Sequence, residues 1–494
     1  MQNSIAKFLD TGIKKLMKAA EDFAIHPEEL AEFIMNIGNE TNRLALDLIG
    51  ETLSSRDSML RESIKRKAVW SIIKRDPKEM ITSIGTVKYE KTLFINKKTG
   101  ERRYLLDDIL GLDSHERISE DALAKMFEEA AQTSYEKAGI ETCSNNDRVS
   151  RQTVKNHLHG LKFPEPESSA EKKVVEYLYI DADEDHISLQ FQDRKGDLEP
   201  DVRGYKNNCV LGKLVYVYEG IEKEAPKSNR HRLVGRHYFS GVYEEKMNAS
   251  LWEEIERYLQ GHYDLEKVKR IYLNADGGGW IKGGKSRING LVTVLDEFHL
   301  SQYLLKMTGH MLDDAEEARK ELKRLIKCGT KDRFREYLKT LAAYGETESA
   351  QKRIQESGEY ILNNWMAARI RLTKHEEIKG CSAEGHVSHM YSDRMSSRPM
   401  GWSECGSDAM CHLRCFTKNH GSEGILDLVH YRRQKELEKL PATGTEGMVE
   451  VSSAVARRTT AEREMAPYWE RLQASIGGMT VRKTLAIRNR LNEI

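Results

Sequence analysis

Apolar residues recur at helical spacing early in the chain, with Leu30, Phe33, Ile34 and Ile37 on one stripe. No proline falls between Glu28 and Lys74, so residues 1 to about 80 are expected to be helical. Met1 to Ala20 alternates lysines with apolar residues and has no uninterrupted apolar run. This marks an amphipathic helix rather than a signal peptide. The pattern then changes. Thr86-Val87-Lys88-Tyr89 and Thr92-Leu93-Phe94-Ile95 lead into Asn96-Lys97-Lys98-Thr99-Gly100 and on to Arg103-Tyr104-Leu105, a β-hairpin or small sheet with a Lys/Gly turn. A helix is expected from Ser119 to about Ala138, ended by Gly139, and a second, short one from Ser150. Lys162 to Ser169 holds two prolines and reads as a linker.

Beyond the linker the period switches from helix to strand. Val174 to Ala182 is β-prone, and His186 to Gln192 alternates, with Ile187, Leu189 and Phe191 on one side. Cys209 to Tyr218 and Arg232 to Phe239 are further strands. Leu251 to Leu259 is a helix, and Val268 to Ala275 and Leu291 to Leu295 are strands again. From Phe298 to about Thr373 the pattern is helical and heavily charged. A Gly/Ser/Cys-rich region follows to Cys415, and the tail beyond Leu440 turns basic. Short connections between the first strands imply antiparallel pairing. The order as a whole fits an α/β fold, a mixed sheet interrupted by a helical insertion.

The length of 494 residues calls for several domains. Hydrophobic residues make up 39% and charged residues 32%, and no stretch approaches a membrane span. The formal net charge is zero, which excludes a uniformly basic coat but not local basic patches. Seven scattered cysteines argue against a disulfide framework and for a reducing, cytoplasmic setting. Cys405, Cys411, His412 and Cys415 cluster, but their spacing is poor for structural zinc, so buried free thiols are expected.

Two strands run into aspartate: Tyr177-Leu178-Tyr179-Ile180-Asp181-Ala182-Asp183, and Ile271-Tyr272-Leu273-Asn274-Ala275-Asp276 followed by three glycines. A carboxylate at the end of a buried strand is costly unless paired or bound to metal. Two such carboxylates, with a third from a helix, can hold two Mg²⁺ ions against a phosphodiester. Each aspartate alone is equally a strand-end cap or turn former. Asp181, Asp183 and Asp185 alternate and share one face.

These stretches, with Cys381-Ser382-Ala383-Glu384-Gly385-His386-Val387-Ser388-His389, Ser396-Ser397-Arg398-Pro399-Met400-Gly401-Trp402, and Leu105-Leu106-Asp107 with Leu110-Gly111, resemble the ISLre-type insertion-sequence transposases, a lineage similar to Mutator-like transposases. The resemblance implies an RNase H-like core with an Asp, Asp, Glu triad. The acids would be Asp183 (with Asp181 as second choice), Asp276 and Glu384, holding two Mg²⁺ ions that Mn²⁺ could replace. On chemistry alone Glu384 could equally be solvated. The resemblance also implies a histidine near the site, here His299 of Asp296-Glu297-Phe298-His299. The same residues read as an ordinary helix start with Asp296 as the cap.

Val149-Ser150-Arg151-Gln152-Thr153-Val154-Lys155-Asn156-His157 resembles a recognition helix. Ser150 suits the N-cap, Arg151, Gln152, Lys155 and Asn156 can reach bases or phosphates, and Val154 and Leu158 would anchor it. An ordinary amphipathic helix fits too. Lys97, Lys98, Arg102 and Arg103 are candidate phosphate contacts. Charged runs such as Arg319 to Lys327 are solvated faces or a DNA track. The expected layout is a helical region over residues 1–80, a hairpin and helix-turn-helix domain over 81–165, and a catalytic core over 166–297 and 380–440. A helical insertion over 298–379 and a basic tail over 441–494 complete it. The expected function is Mg²⁺-dependent cleavage at transposon ends and strand transfer into double-stranded target DNA, by a homo-oligomer since two ends must meet. The alternatives are a DNA-binding protein that has lost catalysis and a structure-specific nuclease on the same fold.

Overall fold

Long apolar stripes fold the N-terminus into helices. In a computed structural model, which describes residues 2–113, 115–144, 147–166, 168–190, 208–244, 247–378, 383–397 and 400–437, α1 (Gln2–Lys7), α2 (Ile13–Ile25), α3 (Leu30–Glu62) and α4 (Ile64–Val69) follow one another. Helix does not extend to residue 80, as the stripe implied. The chain turns to β1 (Trp70–Thr82) and returns as β2 (Gly85–Asn96), its antiparallel partner. The Lys/Gly turn exists, but it joins β2 only to the short β3 (Arg102–Arg103). The main partner β1 was hidden because its middle is charged, and only an exposed edge strand tolerates Lys74, Arg75, Asp76 and Pro77. α3 is fastened to β2 by the buried Asp57, which accepts from Thr92 N–H at 2.8 Å and Thr92 Oγ1 at 2.6 Å. Trp70, Val87, Phe94, Leu105 and Leu106 form the core beneath, closed by α5 (Leu105–Leu110).

The expected helix from Ser119 is broken into α6 (Glu120–Gln132) and α7 (Tyr135–Glu141). Gly139 does not end a helix. It lies inside α7, where its missing side chain admits the Val149 backbone, whose N–H donates to the Gly139 carbonyl at 3.0 Å. A Cβ at 139 would lie 2.0 Å from the Val149 carbonyl oxygen. Gly139→Ala is therefore expected to cost about 2–3 kcal/mol, seen as a lower urea midpoint with an unchanged slope. After this contact comes α8 (Arg151–His159), capped by Ser150 Oγ, which accepts from Thr153 N–H at 3.2 Å.

The chain divides into two compact units: Met1–Glu129 with Tyr135–Val154 and Val429–Ile494, and Ala130–Ser134 with Lys155–Leu428. The second is built on a five-stranded mixed sheet. Its strands are β4 (Tyr177–Ser188), β5 (Cys209–Tyr218), β8 (His237–Val242), β9 (Arg270–Ala275) and β10 (Leu291–Leu295). A side hairpin of β6 (Gly220–Lys223) and β7 (His231–Val234) interrupts it. The order is β10-β9-β4-β5-β8. β4, β5 and β8 pair antiparallel, while β9 lies parallel to β4 and β10 parallel to β9. Two expected boundaries move. The two strands expected over 174–192 are one, so Asp183 lies inside β4 rather than at its end, and Phe191 and Gln192 lie outside the described residues. The strand expected over 232–239 is split, because Gly235 turns the chain with a φ of 60°.

One sheet face packs Leu178, Ile180, Ala182, Val215, Val217 and Leu273 against α9 (Asn248–His262), α10 (Gly279–Lys282) and α11 (Gly284–Arg287). After β10 the helical block appears as expected: α12 (Glu297–Thr308), α13 (Ala315–Cys328), α14 (Lys331–Ala343), α15 (Glu348–Asn363) and α16 (Trp365–Thr373), around their own core of Leu300, Leu322, Phe334 and Ile361. Its charged faces carry short-range pairs such as Arg324–Glu321 and Arg335–Asp332, the habit of solvated helices. α17 (Ala383–Val387), a π-helical stretch Ser388–Ser396, α18 (Glu404–His420) and α19 (Gly424–Leu437) complete the described chain. The basic tail over 441–494 lies outside the described residues. Among the described residues no helix is long and apolar enough to cross a membrane.

Candidate active site at the parallel strand ends

The parallel register sets the site. Ala182 of β4 pairs with Ala275 of β9, and Ala275 pairs with Leu295 of β10. The next residue of each strand is an acid: Asp183, Asp276 and Asp296. Ala182 and Ala275 point into the core under α9, so alternation turns Asp183 and Asp276 to the other face, side by side. Gly277 then turns the chain away at a φ of 91°, where a Cβ would lie 2.6 Å from Asn364 Oδ1. The Asp276 carboxylate accepts from Gly278 N–H at 2.9 Å, and its carbonyl accepts from Tyr360 Oη.

Electrostatics tie the acids together. Burial pushes the Asp183 carboxyl up to about 6, opposed by a hydrogen bond from Glu184 N–H and reinforced by the Asp276 charge, while His299 and Asp296 act in opposite senses. Asp296 caps α12, accepting from Phe298 N–H at 3.0 Å, and pairs with His299 Nδ1 at 3.1 Å. Burial works to raise Asp296, but the hydrogen bonds from His299 and Phe298 hold it below the ordinary carboxylate value. His299 is raised, first by its Asp296 hydrogen bond and further by the charges of Asp276 and Asp183. Asp183, Asp276 and His299 thus come together, and Asp296, read from sequence as a helix cap, joins them. Its signal was available: Leu291-Val292-Thr293-Val294-Leu295-Asp296 repeats the apolar-strand-then-acid pattern of the other two.

Asp181 is no open ligand. It is fully buried and accepts from Tyr216 Oη at 2.7 Å, Tyr218 Oη at 3.2 Å and Asn274 Nδ2 at 2.6 Å. Asp185 accepts from Ser396 Oγ at 2.6 Å and Ser392 Oγ at 3.3 Å, anchoring the π-helical stretch to β4. Of the motif around Trp402, Arg398 and Pro399 lie outside the described residues, as do Cys381 and Ser382. Trp402 itself is buried: its backbone N–H donates to the Ser188 carbonyl at 2.9 Å and its indole N–H to the Met395 carbonyl at 3.2 Å. Cys411 and Cys415 are buried free thiols.

Glu384 lies on α17. It is exposed, on the helix's first turn. α17 does lie over the acid-bearing face. His386 sits 4.5 Å, ring to ring, from Tyr216, whose hydroxyl donates to Asp181, and its Nδ1 is 2.8 Å from Tyr238 Oη. Among the described residues no three His, Cys, Asp or Glu side chains are grouped so as to hold a metal ion. Asp183 and Asp276 are nevertheless the donor pair Mg²⁺ favours, since it takes one or two carboxylates and keeps several waters. A cation there would also offset the Asp276 charge, which adds to the burial that raises Asp183.

α8 has one buried and one exposed side. Val154 and Leu158 are fully buried, Arg151, Gln152 and Asn156 are exposed, and Lys155 is half-buried.

Two histidines make stability depend on pH. Burial lowers His237 to about 3, reinforced by His420 and His262, and lowers His386 to about 4, reinforced by Arg236, His389 and Lys418. Both lie below the unfolded value, so the unfolded chain takes up the protons first. Their contribution is whole above about pH 6.5 and is lost as pH falls toward 4 and 3. At about 1.4 kcal/mol per pKa unit, the two together lose roughly 4 kcal/mol by pH 5. Urea melts between pH 8 and pH 5 should show this loss, and His237→Phe should make it shallower.

The molecule is thus a mixed α/β protein with a helical N-terminal region and a mixed sheet that carries Asp183 and Asp276 on neighbouring parallel strands. The chain belongs to the UPF0236 family, described as an uncharacterised protein family, whose model matches residues 24–432. It is similar to a UPF0236 protein of Caldanaerobacter subterraneus subsp. tengcongensis, 32% identical over 452 residues, 91% of this chain and 90% of that one. The name of that relative joins eleven locus designations. A UPF0236 protein in the vanSb 3′ region of Streptococcus gallolyticus is 23% identical over 436 residues, 85% of this chain and 88% of that one. Among solved structures, a Drosophila P element transposase strand transfer complex is 8% identical and covers 67% of this chain and 94% of its own, with a TM-score of 0.21. That score is too low to bear on the fold.

Proposed function

We propose that the chain is a DNA transposase of the acidic-triad class, with an RNase H-like core and α8 as its DNA-recognition helix. The observation that carries this is the register Ala182–Ala275–Leu295, which sets Asp183 and Asp276 side by side on parallel strands. The strand order, with three antiparallel strands followed by two parallel ones and a helical insertion before the last acid, supports the same assignment. So does the relative that carries eleven locus designations in one organism, the trace a self-copying element leaves in a genome.

Asp183 and Asp276 would bind Mg²⁺ (or Mn²⁺), and Glu384, over the same sheet face, would complete the triad. The bound ions would neutralise the phosphate and lower the pKa of the attacking water or 3′-hydroxyl. Asp296 orients His299 by its hydrogen bond and so acts as a positioning residue. Asp296→Asn should lower activity about 10–100-fold and shift the acid limb of the pH–rate profile, which a purely structural loss would not move.

The test uses the purified full chain, duplexes bearing the terminal sequences that flank its gene, and a supercoiled plasmid target. Metal-dependent joining of pre-cleaved 3′ ends, lost in Asp183→Asn, Asp276→Asn and Glu384→Gln, is expected. Cleavage without joining would replace the transposase with a nuclease. End binding with no metal-dependent product, unchanged in Asp276→Asn, would leave a DNA-binding protein.

A further inference from the structure

Helices α2 and α3 form an antiparallel hairpin. Lys15 pairs with Glu40 at 3.3 Å, and the Phe23 and Phe33 rings stack at 4.8 Å near the tip. An inner stripe with Leu16, Phe23, Phe33 and Ile37 joins the two helices and is half-buried. The pair nevertheless buries little: among residues 3–39 only Ser4, Gly12 and Ala19 are buried. Met17, Ile25, Leu30, Ile34 and Met35 are all more than half exposed.

Helical spacing sorts these residues into a second stripe. In α2, Met17, Ala20 and Ala24 recur at i, i+3 and i+7. In α3, Leu30, Ile34, Gly38 and Thr41 recur at i, i+4, i+8 and i+11. Both helices are right-handed and run in opposite directions, and each outer stripe is turned the same way from its inner one. The two outer stripes therefore fall on one side of the hairpin. The other side is polar, with Lys18 and Asp22 of α2 and Glu32 and Asn36 of α3, all exposed. Among the described residues α2 packs chiefly on α3, and the apolar side stays open. A helix pair with two apolar stripes has a use for a second partner.

The charges around this face select the partner. Lys14, Met17 and Glu21 share a stripe along its outer rim, at i, i+3 and i+7. Lys14 and Glu21 are exposed, and among the described residues neither has an ion-pair partner. The acids gather at the hairpin tip, in Glu21, Asp22, Glu28, Glu29 and Glu32, while Lys14 and Lys18 lie further back. A second copy laid face to face, with its tip pointing the other way, sets Lys14 of each against Glu21 of the other. Two copies with their tips together would instead set the acids against each other. The Lys15–Glu40 and Phe23–Phe33 pairings put Gly38 level with Met17, at the centre of that arrangement. There a Cβ would meet nothing within 4 Å, so the backbone of α3 is open to close approach.

We propose that this face joins the chain to a second copy of itself, as a two-fold, tip-to-base packing of the α2–α3 hairpins. A dimer suits a protein that must bring two DNA ends together. The surface is argued without that reading, and its test uses neither DNA nor metal.

The test is sedimentation equilibrium of the full chain. A dimer is expected at concentrations of about 10 µM, with a dissociation constant on the order of micromolar. Lys14→Glu should weaken it about tenfold or more, and so should Glu21→Lys, because each sets like charges together twice. The double reversal, Lys14→Glu with Glu21→Lys, should restore it. Ile34→Asp should weaken it about a hundredfold, while Asn36→Asp, on the polar side, should leave it unchanged. All four residues are exposed, so unchanged melting curves are expected throughout. A monomer at about 100 µM overturns the proposal and leaves the face to a different partner. A dimer indifferent to Ile34→Asp, or a double reversal that fails to restore pairing, overturns it as well.

Discussion

Asp276→Asn is expected to lower metal-dependent strand cleavage and joining on the order of 10³-fold or more while leaving the fold intact. On the proposed function, the loss follows from removing one of the two carboxylates on neighbouring parallel strands, which would leave too little charge to hold a divalent ion against a phosphate. Folding is expected to survive because asparagine keeps the shape and the acceptor oxygen for Gly278 N–H. The like charge that helps push Asp183 up to about 6 disappears. The melting temperature should therefore stay level or rise slightly. Loss of activity together with a fall in stability would point to a structural role for Asp276.

Asn274→Leu should do the reverse and act first on stability. Asn274 is fully buried and has two charged partners. Its Nδ2 donates to Asp181 Oδ1 at 2.6 Å, and its Oδ1 accepts from Arg371 Nη2 at 2.6 Å. Arg371, 4% exposed, also donates through Nε to the Leu295 carbonyl at 2.9 Å. One amide thus stands between a buried acid and a buried guanidinium, two residues below the Asp183–Asp276 pair, and links three strands of the site. Leucine fills similar volume but removes a partner from both charges. The expected cost is about 3–4 kcal/mol, roughly a 10 °C drop in melting temperature, measured by calorimetry. A loss under about 1 kcal/mol would mean that the network does not hold the strand ends in place.

The sequence revealed some of this and hid the rest, for physical reasons. Apolar runs ending in acid marked β4, β9 and their aspartates, because burial on both faces leaves a continuous hydrophobic run. β5 and β10 fell within their expected bounds for the same reason. The helical block was visible from its period. Register was not visible, and register alone reveals that Asp183, Asp276 and Asp296 stand one step beyond paired residues. Asp296 was read as a helix cap because the local signal for a cap is complete, and the residue does cap α12. Asp181 and Asp183 share a face and looked equivalent. Only the neighbouring strands, with Tyr216, Tyr218 and Asn274, separate a buried, fully engaged carboxylate from an open one. β1 was missed because an exposed edge strand with a charged middle carries little apolar alternation. Gly139 was taken for a helix stop because close approach of a distant backbone leaves no mark on the sequence beside it.

The central claim concerns where a divalent ion settles on this chain. Crystals of the full protein soaked in Mn²⁺, with anomalous scattering recorded above the manganese edge, locate it directly. A peak within coordination distance of both Asp183 and Asp276, absent in Asp276→Asn crystals, is the predicted result. Manganese bound only elsewhere, or no peak at these two aspartates at saturating Mn²⁺, would contradict the account.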